Sequence, residues 1–408
     1  MTQVATSWLV YRLTRDPLML GFVTFAGQIP AFLLAPIAGV LIDRWDLRRT
    51  LIITQVLAMA QSLALAYLAL SGTVTVRHLL VLYVIQGIIN GFDMPARQSI
   101  LSQLVTRRDD IANAIALNSS MFNLARLLGP SIAGFVIARY GEGVCFLVDG
   151  ISYVAAVGSV AMIRLEPRPA MQRSLNVLAE LSEGTGYAWR LPPIREILLL
   201  CAVISLMGIP FTVLMPVFAT DVLHGGPQTL GMLLGGQGVG AFIGAALLAS
   251  RRSVVGLGSW MVTCGIGFGL AVIAFALSRN QWLSVAMMGV AGLTMVIVNA
   301  SCNTVIQTVV DDDKRGRVLA LLMMCFLGMV PIGGLLFGEL ASPNRLGPSW
   351  TIILGALACI AATLRFASQR AAMRAALRPI LVSRGILPAI ASGLETEGEL
   401  AAPPERAG

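Results

Sequence analysis

Charge is what this sequence has least of. Only 12% of its 408 residues are Asp, Glu, Lys or Arg, against 56% hydrophobic residues and a mean hydropathy of +0.80. Soluble domains carry roughly 25% charged residues, so most of this chain has to avoid water. Lysine is nearly missing: Lys314 stands alone and arginine supplies the other basic side chains. Aromatics make up 7%, and β-branched residues show little alternation, which argues against a transmembrane barrel. There are two histidines, His78 and His224, both at the edges of apolar runs. Each of the six cysteines (145, 201, 264, 302, 325 and 359) lies inside an apolar run and none forms a CxxC pair, so neither a disulfide framework nor a metal site is expected. A nucleotide loop of the G-x-x-x-x-G-K-[ST] type is absent, as are HExxH and GxSxG, which excludes ATP-driven pumping and the common hydrolases; no cofactor and no enzyme activity are expected. The net charge of +8 comes from arginines scattered between apolar runs rather than from a basic domain, so nucleic acid is not expected as a partner.

What is present is a series of apolar runs near the length of about 20 residues that a membrane-spanning helix needs. They fall at Leu18–Ile42, Leu51–Leu70, Leu79–Leu101, Ala112–Ala138, Val144–Ile163, Ile197–Ala219, Leu230–Ala249, Leu257–Leu277, Trp282–Val305, Val318–Leu340 and Ser349–Phe366. Met1 to Leu13 reads as half of a further span, a truncated first helix. The expected fold is an all-α membrane protein with twelve helices.

The distribution of arginine orients the bundle. If the loop Gly39–Arg49 is cytoplasmic, 22 of the 29 basic residues fall on that side and 6 on the other, with Arg126 inside a span. The positive-inside rule then puts both termini in the cytoplasm of a bacterial inner membrane. A polar break with Pro167, Pro169, Pro192 and Pro193 divides the spans six and six. The expected organisation is a first helical half at 1–163, a cytoplasmic linker at 164–196 with a surface helix near Ser174–Trp189, a second half at 197–366, and a partly disordered cytoplasmic tail at 367–408. In the tail, Arg370, Arg374 and Arg378 share a helix face suited to anionic lipid headgroups. The halves resemble each other. Ser102-Gln103-Leu104-Val105 through Asp109-Asp110 matches Ile306-Gln307-Thr308-Val309 through Asp312-Asp313. Gly129-Pro130-Ser131-Ile132-Ala133-Gly134 matches Val330-Pro331-Ile332-Gly333-Gly334, at an offset near 200 in both places. Two parallel six-helix repeats with a substrate site between them are a transporter architecture.

Within such spans an ionisable group costs at least about 2.5–3.5 kcal/mol on insertion scales, so its presence signals a role. Three stand out: Asp93, Arg126 and Asp149. A buried carboxylate that is exposed alternately to the two sides can load and release a proton. Asp93 is also four residues from Arg97, so the same pair reads equally as a fixed ion pair that holds helices together. Gln86, Asn90, Asn118, Asn123, Gln237, Asn299 and Asn303 place amides within spans, where they line a substrate cavity or bond helix to helix.

The loop GVLIDRWDLRR completes the reading. Gly39, Leu41, Asp43, Arg44, Arg48 and Leu51 match G-x-L-a-D-r-x-G-r-k-x-x-l, the signature between helices 2 and 3 of the major facilitator superfamily. Gly129, Pro130 and Gly134 in GPSIAG resemble the G-P-x-x-G-G motif of the superfamily's antiporters. The pieces WLVYRLT, GVLIDRWDLRR, GFDMPARQS, ARLLGPSIAGF and DDDKRGRVLAL are most similar to the subgroup that contains the enterobactin exporter and macrolide efflux proteins. The resemblance implies a monomeric secondary transporter that exports a bulky small molecule, a drug such as a macrolide or a siderophore, by proton antiport with alternating access. The alternatives are an uptake symporter or facilitator, or a non-transporting membrane protein with a defective first helix. It further implies a cytoplasmic gate in which Asp43 docks against the start of helix 11 at Arg315 or Arg317 and against Arg97 on helix 4, with Gly39 allowing helices 2 and 11 to approach and Arg44 or Arg48 pairing nearby. Three positions depart from the pattern, one of them Leu47, where the signature has a basic residue. The signature's glycine is Asp46 here, and the arginine that commonly precedes the helix-4 Gln-Gly pair is Tyr83.

Overall fold

Long apolar runs become long helices. The computed structural model describes residues 1–42, 45–104, 111–163, 177–251, 256–373 and 375. It forms α1 (Thr2–Thr14), α2 (Pro17–Ile42), α3 (Leu47–Leu70), α4 (Val76–Leu104), α5 (Ile111–Tyr140), α6 (Glu142–Met162), α7 (Val177–Arg190), α8 (Pro192–Val222), α9 (Pro227–Ala249), α10 (Leu257–Leu277), α11 (Gln281–Val309), α12 (Asp312–Leu340) and α13 (Pro348–Ser368). Among the described residues ten helices are long and apolar enough to cross a membrane. The 13-residue α1 and the 30-residue α5 complete a twelve-helix bundle, and α7 lies outside that set.

The turns are written in local chemistry. Arg15 takes a left-handed conformation (φ 52°) to end α1, and Pro17 opens α2 with a backbone already shaped for a first turn. Asp46, the residue that departs from the loop signature, caps α3: its side chain accepts the Arg49 N–H at 2.9 Å. Asn280 caps α11 in the same way, accepting from the N–H groups of Trp282 (2.9 Å) and Leu283 (3.2 Å). α8 is not a regular helix. It passes through π turns at Ile204–Gly208 and Phe218–Val222 and a 3₁₀ stretch at Ile209–Leu214, around Pro210 and Pro216, which cannot donate to the helical ladder. Its fully buried Phe211 and Phe218 hold it against Phe268 and Phe275 of α10, with ring centroids 6.2 Å (Phe211–Phe268) and 4.8 Å (Phe218–Phe275) apart.

Packing repeats itself at six helices' distance once α7 is set aside. In the first half α2 packs on α4, and α3 on α6 and α4; in the second, α9 packs on α11, and α10 on α13 and α11. The two main contacts between halves, α5 on α9 and α2 on α12, are likewise one contact seen twice, as a two-fold relation requires.

Candidate transport site and gates

Asp93 sits on α4 in a nest of donors supplied by α3 and by its own helix. Thr54 Oγ1 and Gln55 Nε2 donate to Asp93 Oδ1 at 2.9 and 2.5 Å, and Arg97 Nε donates to Oδ2 at 2.6 Å. The carboxylate is 13% exposed and the guanidinium 57%, so the pair runs from the protein interior to the surface at one end of the bundle. Seven residues along α3 from Gln55, Ser62 donates to Asp149 Oδ2 of α6 at 3.0 Å. Seven residues is about two helical turns, or roughly 10 Å. The polar face of α3 therefore carries both intramembrane acids of the first half, one near each end of a buried seam that also includes Gln61, which donates to the Leu82 carbonyl. Tyr83, standing where the superfamily's arginine is usual, fits against α2 because Gly27 has no side chain: a Cβ there would be 2.6 Å from the Tyr83 ring.

The halves meet closely at the opposite end. A Cβ on Gly134 of α5 would lie 2.7 Å from both the Gly231 Cα and the Pro227 carbonyl of α9; one on Gly338 of α12 would lie 2.8 Å from the Pro17 carbonyl and 3.2 Å from the Gly21 Cα of α2. Reciprocally, Gly231 faces the Pro130 carbonyl at 3.1 Å and Gly21 faces the Gly334 carbonyl at 2.5 Å. Both contacts place the opening Pro-x-x-Leu-Gly turn of one helix (Pro17–Gly21 and Pro227–Gly231) against the small-residue face of its partner. Side-chain links between the halves lie here too: Tyr11 of α1 donates its hydroxyl to Asp221 of α8, and Arg15, just past α1, reaches the same carboxylate at 3.5 Å. A cleft of about 440 Å³ lined by Trp8, Arg12, Glu142, Pro227 and Gln228, among others, opens on this face and touches neither Asp93 nor Asp149. At the charged end, by contrast, among the described residues no atom from outside its own stretch of helix lies within 4 Å of the point a Gly39 Cβ would occupy.

The surface helix α7 docks on the first turns of α12. Glu183 bonds Lys314 and pairs with Arg317 at 2.7 Å, Tyr187 donates to Asp311 Oδ2 at 3.0 Å, and Gly184 brings the helix close to the Arg317 side chain. The bond from Lys314 and the charge of Arg317 hold the exposed Glu183 carboxyl below its ordinary value of 4.5.

The expected residues thus distribute as follows. Asp93 and Arg97 are brought together. Asp149 sits on the same seam, and Arg317 is paired to α7. Arg48 donates to the Ala161 carbonyl of α6. Gln86 donates to Asn90 at 3.0 Å along α4, and Gln307 to Asn303 at 2.7 Å along α11. Gln237, on α9, offers its backbone carbonyl to the close approach of Gly292 on α11, and Asn299 is half-buried on α11. Gly134 and Pro130 form the contact with α9, while Gly129 meets no other helix among the described residues. Asp43 and Arg44, and the side chains of Arg126, Asn118 and Asn123, lie outside the described residues. Thr54, Gln55, Ser62, Tyr11, Asp221 and Glu183 were not expected. A signal existed for Gly21 and Gly231, since PLMLG and PQTLG repeat at the starts of equivalent helices. Nothing in the sequence ties Tyr11 to Asp221.

Comparison with known proteins agrees with this arrangement. The family described as transmembrane secretion effector matches residues 1–383. The chain is 28% identical over 378 residues to the multidrug efflux pump Tap of Mycolicibacterium fortuitum, covering 89% of this chain and 92% of that one. It is 25% identical to the staphyloferrin A transporter of Staphylococcus aureus, over 90% and 92% of the two chains. A peptide transporter POT structure superposes with a TM-score of 0.71 at 12% identity, covering 92% of each chain, which speaks for the fold alone. Twelve helices in two repeats, the small-residue contacts between them and a family match over most of the length lead to one conclusion: the chain belongs to the transmembrane secretion effectors of the major facilitator superfamily, multi-pass membrane transporters of small molecules.

Proposed function

We propose that this protein exports a bulky, partly apolar small molecule across the bacterial cytoplasmic membrane by proton antiport, with both termini in the cytoplasm. The observation that carries the proposal is the asymmetry of the bundle: glycine contacts and the Tyr11–Asp221–Arg15 link close one end, while Gly39 at the other end meets no other helix among the described residues. The positive-inside rule makes the charged end, with Arg48, Arg97 and Arg317, cytoplasmic. The structure is then inward-facing, ready to take substrate from the cell. Alternating access requires the α2/α12 and α5/α9 contacts to part on the outer side as the inner side closes. In that closure Asp43 and Arg44 meet the start of α12, where a carboxylate is favoured by the helix N-terminus, and Gly39 allows the approach. Asp149 is the proton-loading group. Asp93, already accepting from three donors, links the proton to the Arg97 side of the gate; Arg126 sets the field on α5. The amides Gln86, Asn90, Asn118, Asn123, Gln237, Asn299 and Asn303 supply polar contacts to a substrate among apolar walls.

A drug or a siderophore is the expected substrate class, in keeping with a multidrug efflux pump and a staphyloferrin A transporter among the relatives. The test is export from an efflux-deficient bacterium that expresses the full chain, scored for a macrolide and for a siderophore with and without protonophore. Export of either that stops with protonophore supports the reading. Export insensitive to protonophore removes the antiport, and accumulation of the compound inside energised cells reverses the direction.

A further inference from the structure

The two halves open equivalent helices with the same turn and cap it differently. α2 is entered through Asp16-Pro17 and α9 through Gly226-Pro227, each followed by x-x-Leu-Gly. At α2 the Asp16 carboxylate accepts the Leu18 N–H at 2.9 Å, so that helix start holds a carboxylate of its own. At α9 the equivalent residue is Gly226, and no side chain caps the helix. Pro227 has no N–H, and the first helical bond runs from the Leu230 N–H to the Gly226 carbonyl at 3.2 Å. The N–H groups of Gln228 and Thr229 therefore meet no acceptor among the described residues. Gly226 to Thr229 form one wall of the cleft of about 440 Å³ between the halves, and two further donors line it. Thr229 is only 5% exposed, yet its hydroxyl bonds to nothing among the described residues. Arg12 reaches in from α1. Its Nε lies 3.2 Å from Glu142 Oε1, its side chain is 53% exposed, and its two terminal nitrogens make no hydrogen bond among the described residues. Glu142 is the acid of this lining, and the guanidinium beside it offsets its charge. Trp8, one turn before Arg12 on the same helix face, adds a half-buried indole.

We propose that this cleft is a binding site for a small aromatic carboxylate. The ligand's carboxylate takes at α9 the place that Asp16 holds at α2. It accepts from the Gln228 and Thr229 N–H groups and the Thr229 hydroxyl on one side and from the terminal nitrogens of Arg12 on the other, while its ring lies against Trp8. A helix N-terminus favours an anion through its orphan N–H groups and its partial positive charge. The planar fork of a guanidinium matches a carboxylate, and an indole offers a broad apolar surface to a ring. Arg12 belongs to the first half and α9 to the second, so the site is whole only while this end is closed, and a bound carboxylate favours that state. Its place on the outer side of the membrane rests on the orientation proposed above; the binding itself does not.

The probe is fluorobenzoate, titrated at neutral pH into the full chain in lipid nanodiscs and followed by broadening of its fluorine NMR line, with protein-free nanodiscs as the baseline. The expected result is saturable binding that benzoate displaces and benzamide, of the same shape without the charge, does not. Gly226→Asp gives α9 the carboxylate that α2 already has. Gly226 has a φ of −121°, and among the described residues no atom beyond its chain neighbours lies within 4 Å of its Cβ position, so the substitution fits without strain. It should raise the Kd at least about tenfold, the scale of one hydrogen bond to a charged group. Thr229→Val keeps the shape and removes the hydroxyl, and Arg12→Lys keeps a charge beside Glu142 and removes the fork; both should weaken binding. Absence of saturable binding overturns the site. So does binding that Gly226→Asp leaves unchanged, or that benzamide displaces as well as benzoate does. No transport enters the measurement, so a failed titration leaves the export reading standing, and failed export leaves a positive titration intact.

Discussion

Substituting Gly134 with alanine should change the balance of conformations more than it weakens the fold. Two effects compete. Gly134 lies within the regular helix α5, where alanine is more favourable than glycine by about 0.8–1 kcal/mol, and this gain is present whichever way the transporter faces. Against it stands the added Cβ, which in this structure would lie 2.7 Å from the Gly231 Cα and the Pro227 carbonyl. Both are backbone atoms on a helix held by α11 and cannot rotate aside as a side chain would, so the helices must separate. Overpacking of this kind costs about 1–3 kcal/mol, and here the cost falls only on the state in which α5 and α9 touch. The expected shift is therefore about 5- to 150-fold toward the state open at the Tyr11–Asp221 end. Spin labels placed on Trp8 and Gln228, on opposite halves at that end, would report it as a longer distance distribution. The Tm should fall only slightly, because the helix gain offsets part of the clash and the state in which the two helices part bears none of it. An unchanged distance distribution in Gly134→Ala would refute the reasoning, since the clash it predicts would then have been absorbed locally. Gly21→Ala, which meets the Gly334 carbonyl at 2.5 Å in the equivalent contact, should behave the same way and serves as an internal check.

Other perturbations follow from the same contacts. Asp221→Asn removes a charged acceptor from Tyr11 and Arg15; a bond to a charged group contributes about 1.5–3 kcal/mol and the half-exposed arginine pair little more, so this end should open more often, as the same labels would read. Unchanged distances would mean that the glycine contacts alone close it. Glu183→Gln should loosen α7 from α12, seen as faster amide exchange over 177–190, and the wild type should do the same in acid. Because the folded-state carboxyl is held below 4.5, the contact is complete above that ordinary value and is lost as pH falls through the lowered one. Protection that ignores both acid and the substitution would separate the docking from this ion pair. Asp43→Asn should weaken closure of the cytoplasmic end and slow export; normal transport with a normal conformational balance would count against the clasp.

How far the sequence carried depends on the range over which each feature is decided. Spans are decided locally, so the apolar runs give the helices to within a few residues, as Leu257–Leu277 and α10 show. The Asp93–Arg97 pair was legible for the same reason, because a spacing of four closes on a single helix. Thr54, Gln55 and Ser62 were not. They sit inside a run that reads as hydrocarbon, and only the packing of α3 on α4 and α6 turns them into ligands of two acids. Asp46 looked like damage to a signature and is a helix cap, a role that its mismatch with the pattern concealed. The repeat was visible but its register was not. Sequence pairs Pro130 with Pro331, whereas the contacts pair Pro130 with Gly334 and Gly134 with Gly338, both 204 residues apart. Close backbone approach needs a small residue at the right height on the helix, and identity of that residue matters less.

The two ends of the molecule are held by different forces, and that difference suits a proton-driven cycle. The closed end rests mainly on backbone-to-backbone packing through Gly21, Gly134, Gly231 and Gly338, which is insensitive to charge, with one carboxylate, Asp221, added. The charged end carries Asp93, Arg97, Glu183, Lys314 and Arg317, whose pairings depend on protonation and on which partner is within reach. Arg317, expected to receive Asp43 when that end closes, is held by Glu183 in this structure. On the proposed clasp, Arg317 shares the Glu183 carboxylate with Lys314 before closure and takes Asp43 after it, so closing exchanges one carboxylate for another instead of burying an unpaired cation. Exchange costs far less than desolvating a lone charge, so a modest driving force is enough to move the equilibrium either way. A transporter must cross between its states many times, and pairings that swap partners keep both ends of that crossing accessible.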